Sequence, residues 1–149
     1  MSDLRDAPSA TPRSAAQAAC AGYRAQLLYD VRVGPGGLRF GTAGGERTLA
    51  WDEVWFAVAA EVGEPEGVRA IVFDLVVGRD AGGWRVLRLD AELGPFAEQI
   101  ARAIQAGLPR ERRGPSIKSL ASDGVPSQWY ADLESFEESV AAAVAGGRP

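Results

Sequence analysis

The chain has 149 residues, an apolar share of 46% and a formal net charge of -4, with no histidine, one cysteine and one lysine. That length and balance predict one compact domain with its own core, and the acidic charge argues against a nucleic-acid binder that works by neutralising phosphates. The missing histidine removes imidazole triads and general bases, and a lone Cys20 allows no intrachain disulfide and no cysteine-rich zinc site, so neither metal nor cofactor is expected.

Residues 1–22 are rich in Ala, Ser and Pro, with Pro8 and Pro12 interrupting any helix, and read as a flexible lead-in in which Ala15 to Ala21 suit at most a short helix. No sustained apolar segment follows a basic start, and the longest apolar run, residues 54–60, is far short of the roughly 20 residues that span a bilayer. A cytoplasmic protein is the expectation.

From Gln26 onward, runs alternating with period two are separated by glycine clusters. "QLLYDVRV" and "GLRFGT" read as strands joined across Gly34, Pro35, Gly36 and Gly37, and a second cluster at Gly44 and Gly45 returns the chain into "RTLAW". A phosphate-cradling loop would need a helix after the glycines; here strands follow, and no lysine is near, so the glycines read as turns. "WFAVAAEV", "VRAIVFDLVV" and "WRVLRLD" continue the series, with turns at residues 63–67 and 78–83. Connections this short predict an antiparallel up-and-down sheet, mainly β, that curls into a split barrel to protect its edges.

The period then changes to helical. In "GPFAEQIARAIQAGLP" the residues Phe96, Ile100, Ala103, Ile104 and Leu108 form an apolar stripe, with Pro95 placed for the first turn, so one amphipathic helix is expected to cap the sheet. Residues 109–126, broken by Gly114, Pro115, Gly124 and Pro126, read as an irregular linker. Over residues 127–146 a second helix, capped by Ser127, carries Trp129, Leu133, Phe136, Val140 and Val144 along one seam, with Tyr130 beside it. That seam must meet a partner protein, a second copy, or the chain's own sheet.

Three other groups bear on chemistry. Asp52 with Glu53, and Asp74 with Asp90, are the carboxylates that acid-base work would use, but acidic residues are mostly solvated, and Asp74 stands out only because it interrupts an apolar strand. Trp51, Trp55 and Trp84 lie in or beside strands and read as core. Arg110, Arg112, Arg113 and Lys118 are a basic cluster opposed only by Glu111, a candidate contact for an anionic lipid or an acidic partner.

A meander closed by an amphipathic helix resembles the pleckstrin-homology-like superfold over residues 23–108. "LAWDEVWFAV" is similar to the Trp-x-Glu-Ile/Val segment of small bacterial members, and "GGWRVLRLD" and "PFAEQIARAI" follow in the same order. The resemblance implies a module that binds peptides, proteins or lipid headgroups rather than an enzyme. Only Arg32 and Arg39 flank the first hairpin turn, fewer cations than the phosphoinositide-binding members carry there. The expectation is a non-catalytic interaction module, with a peripheral lipid binder and a carboxylate-using enzyme or ligand carrier as the alternatives.

Overall fold

A computed structural model describes residues 22–63 and 70–147. The lead-in expected over residues 1–22, including Cys20, falls outside the described residues except at its last position, as does most of the turn expected at residues 63–67. The strands are β1 (Arg24–Leu27), β2 (Tyr29–Gly34), β3 (Gly37–Thr42), β4 (Gly45–Ala50), β5 (Phe56–Val62), β6 (Ala70–Asp80), β7 (Gly83–Ala91) and β8 (Trp129–Tyr130). The helices are α1 (Pro95–Gly107), α2 (Pro115–Asp123) and α3 (Leu133–Gly147), with short 3-10 turns at Trp51–Glu53 and Arg110–Arg112.

The fold is mainly β, as expected, but its strands form two sheets that do not close into a barrel. One has the order β2-β3-β4 and is antiparallel throughout; the other has the order β1-β7-β6-β5-β8. In the larger sheet β5, β6 and β7 are an antiparallel meander, while β1 runs parallel to β7 and β8 parallel to β5. The two parallel edges are the departure from a pure up-and-down sheet.

The first departure arises at Leu28. The run "QLLYDVRV" is not one strand: the Leu28 N–H donates to the Arg88 carbonyl at 2.9 Å, its side chain is buried, and two residues on Asp30 adopts a φ of 52°. The chain thus leaves the large sheet and enters the small one within a few residues. The first hairpin forms where the glycines predict it, and Gly37 has to be glycine there: its φ is 150° and a Cβ would sit 2.0 Å from the Leu49 carbonyl oxygen.

Both faces of the large sheet are covered. Ile71, Phe73, Leu75 and Leu89 face a core shared with Leu38 and Phe40 of the small sheet and with Ile100 and Ile104 of α1. Val58, Val72, Val76, Trp84 and Val86 face the other way and pack with Phe136, Val140 and Val144 of α3. The strands β5 and β6, buried on both faces, accordingly read as nearly continuous apolar runs.

Residues 109–126 are not an irregular linker. Pro115 at the first helical position starts α2, Gly124 in the left-handed conformation ends it, and Ile117 and Leu120 are wholly buried between them. The proline and glycine that read as breaks act as start and stop signals. Nor does Ser127 cap α3. The cap is Asp132, whose Oδ1 accepts from the Ser135 N–H at 2.8 Å, which also holds the Asp132 carboxyl below its ordinary pKa.

Candidate functional site

Asp74, the charge inside an apolar strand, is wholly buried on the α3 face of the large sheet. Arg88 stands directly opposite it on β7 and donates from Nε to Asp74 Oδ1 and from Nη2 to Asp74 Oδ2, both at 2.7 Å. The Tyr23 hydroxyl donates to Asp74 Oδ2 at 2.6 Å, and Arg88 Nη2 also donates to Glu137 Oε2 on α3 at 2.8 Å. The strand period puts Arg88 on one face with Trp84 and Val86, and Glu137 flanks the α3 seam between Phe136 and Val140.

The electrostatics follow from that enclosure. Burial, reinforced by the charge and hydrogen bond of Asp74, pushes the Tyr23 phenol well above its ordinary pKa. For Arg88 burial acts downward, but the hydrogen bonds and charges of Asp74 and Glu137 more than reverse it and hold the guanidinium above its ordinary value. Asp90, exposed two residues along β7, has its carboxyl raised first by partial desolvation, with Arg88 pulling it down and Asp74 pushing it up.

Asp74 thus engages both of its oxygens in bonds that tie the entry to β1 to the neighbouring strands β6 and β7, and Arg88 carries the link on to α3 through Glu137. Glu53 is elsewhere. It sits exposed in the 3-10 turn and accepts from the Ala50 N–H at 2.9 Å, a local cap. The carboxylates weighed from the sequence therefore do not converge as a set, and among the described residues no group of three or more acidic or cysteine side chains is arranged to hold a metal ion.

The aromatic and apolar candidates divide. Trp51 belongs to the inter-sheet core, its indole Nε1 donating to the Gly34 carbonyl at 3.1 Å. Trp55 and Trp84 meet edge to face at 6.4 Å in the α3 core, with the Arg79 guanidinium 4.7 Å above the Trp84 ring. Phe136, Val140 and Val144 are buried against the chain's own sheet, and Tyr130 packs on Phe136 at 5.6 Å. Trp129 and Tyr130 are a strand and not part of the helix; Trp129 and Leu133 remain exposed. Ile100, on the apolar stripe of α1, is wholly buried.

The basic cluster is brought together except for one member. Arg110 and Arg112 belong to a 3-10 turn and Arg113 follows it in extended backbone, and their side chains part company. Arg112 turns to the sheet, its Nη2 donating to the Val54 carbonyl and its Nε to the Trp55 carbonyl at 3.2 Å. Arg110 and Arg113 line a cavity of about 480 Å³ with Gln105 from the last turns of α1 and with Gly114, Pro115 and Lys118 from the start of α2. Lys118 stands three residues after Pro115, over the first turn of the helix.

The backbone beneath this cavity is fixed. The Gly114 N–H donates to the Ala57 carbonyl at 2.8 Å, and Arg113 forms a bridge with Ala57 at the edge of β5. A Cβ on Gly114 would sit 2.9 Å from Val58 Cγ2, so the approach requires glycine. Ser116, wholly buried, accepts at Oγ from the N–H groups of Ser127 and Gln128 at 3.1 and 3.0 Å, which anchors the first turn of α2. Within this frame Arg113 Nε is buried and has no hydrogen-bond partner among the described residues.

Fold and cavity together define an α-helix-flanked, two-sheet β protein with a cationic cavity on rigid backbone. No protein-family model matches the chain, and no curated protein or solved structure is significantly similar to it. Among the described residues no helix is long and apolar enough to cross a membrane.

Proposed function

We propose that the protein is a non-catalytic recognition module, with the basic cavity at the junction of α1 and α2 as its point of contact with an anionic partner. The observation that carries this reading is the convergence of Arg110, Arg113 and Lys118 on one cavity, with none of the three in an ion pair among the described residues. Cations held close together repel one another, and an anion between them relieves that repulsion. The expected pleckstrin-homology-like relationship supports the same class of role, since recognition is what those domains commonly do.

The α3 seam enters this proposal as scaffold. Burial of Phe136, Val140 and Val144 on the chain's own sheet accounts for the seam, and a partner at those residues would have to displace the helix. The reading is tested by affinity purification from the native extract with the full chain and with an Arg110→Gln, Lys118→Gln variant. A stoichiometric partner held by the first and lost by the second supports recognition at the junction; the same partners on both would contradict it.

A further inference from the structure

We infer that the cavity between the end of α1 and the first turn of α2 is a site for a phosphate-type dianion, a phosphate group either free or on an organic body. This rests on the recognition reading and names the chemistry that the junction takes.

Charge and donor count decide the class. Arg110 and Arg113 each offer a planar fork of N–H donors, and Lys118 adds a compact ammonium. Among the described residues no acidic side chain lines the cavity, and none of these three cations is in an ion pair. A carboxylate brings one charge and two oxygens to such a site, whereas a phosphate monoester near neutral pH brings close to two charges and three acceptor oxygens.

The backbone acts in the same direction. Gly114, the N-cap of α2, and Pro115 both line the cavity, so the positive end of the helix lies beside the cations and adds its field, though not its donors, since the Gly114 N–H goes to Ala57 and Pro115 has none. The volume, about 480 Å³, exceeds a bare phosphate and lies in the range of roughly 300–1,000 Å³ typical of small-molecule sites, leaving room for what the phosphate is attached to.

The test is calorimetric titration of the full chain with inorganic phosphate, and with acetate as the singly charged control, at low ionic strength and neutral pH. Alongside it, the protein is sedimented with phosphatidylcholine vesicles containing phosphatidic acid. Saturable one-site phosphate binding is expected, about tenfold or more tighter than acetate, and weakened about tenfold by Arg113→Gln. Lys118→Gln, on an exposed helix position, is expected to weaken it severalfold without lowering the melting temperature. Phosphate binding without vesicle sedimentation identifies a soluble phosphate-bearing ligand; phosphate binding with sedimentation that Lys118→Gln weakens severalfold identifies a lipid headgroup. Absence of saturable phosphate binding, equal binding of acetate, or unchanged binding by both variants overturns the inference. A partner still lost on Arg110→Gln, Lys118→Gln would then leave recognition at the junction standing with a different anion.

Discussion

Arg88 grips both carboxylate oxygens of Asp74 through two hydrogen bonds of 2.7 Å between directly opposed positions of the neighbouring strands β7 and β6, closed off from solvent. Because Tyr23 and Glu137 bond to the same pair, a polar cluster sits where the entry to β1, the centre of the large sheet and α3 meet. The pair costs desolvation, and its geometry offsets that cost only while every member is present.

Asp74→Ala is therefore expected to lower stability by about 3–5 kcal/mol, since it leaves the Arg88 charge buried with a single half-buried partner. The double variant Asp74→Leu, Arg88→Met is expected to recover much of that loss. Urea denaturation of the three proteins measures both, and a single variant as stable as the parent would show that the cluster is not coupled to folding.

Tyr23 gives the cluster a pH signature. Its phenol is protonated in folded and unfolded chains alike below its ordinary pKa of 10.0, so its contribution is intact there. Above that pH the unfolded chain releases the proton while the fold retains it, and stability falls with rising pH, by about 1.4 kcal/mol per unit for one proton. Tyr23→Phe is expected to remove that one-proton slope, as read from denaturation midpoints at a series of alkaline pH values.

Phe136 is wholly buried where α3 meets the sheet, and Phe136→Ala is expected to cost about 3–5 kcal/mol through the cavity it leaves. Glu137→Gln keeps the shape but trades a charged acceptor for a neutral one, with an expected cost of about 1 kcal/mol at this partly exposed position. Hydrogen exchange should show the loss of protection first in α3 for both, with β6 and β7 following only for Phe136→Ala.

Gly107 closes α1 against Trp51, and a Cβ there would sit 2.3 Å from the indole Cδ1. The ring is buried and its Nε1 is tied to Gly34, so it cannot step aside cheaply. Gly107→Ala is expected to destabilise by about 1–3 kcal/mol despite the better helix propensity of alanine, with a change in tryptophan emission.

Much of this architecture is legible in local pattern. The alternation in "GWRVLRLD" and "AIVFDLVV" places side chains on the correct faces, the glycines mark the hairpins, and Pro95 with its apolar stripe marks α1. Asp74 draws notice because a charge in a doubly covered strand needs a partner. Which partner is not a local matter: Arg88 lies across a strand pair and Glu137 on a distant helix, although period two puts Arg88 with Trp84 and Val86. The strand at Trp129 and Tyr130 is two residues long and exists because β5 offers its edge, so nothing in its own residues announces it. Among the cations, Arg110 and Arg113 separate from Arg112 only in the folded segment, where a 3-10 turn gives way to extended backbone at Arg113, and reading Gly114 and Pro115 as breakers hides that frame.

The most direct measurement of recognition at this junction is an NMR titration of the isotope-labelled full chain with inorganic phosphate at low ionic strength. Saturable amide shifts confined to Gln105, Arg113, Gly114 and Lys118 and their neighbours are the predicted result. Shifts centred on the α3 face or the small sheet, or none at any concentration, would contradict the assignment of the cavity as a phosphate site.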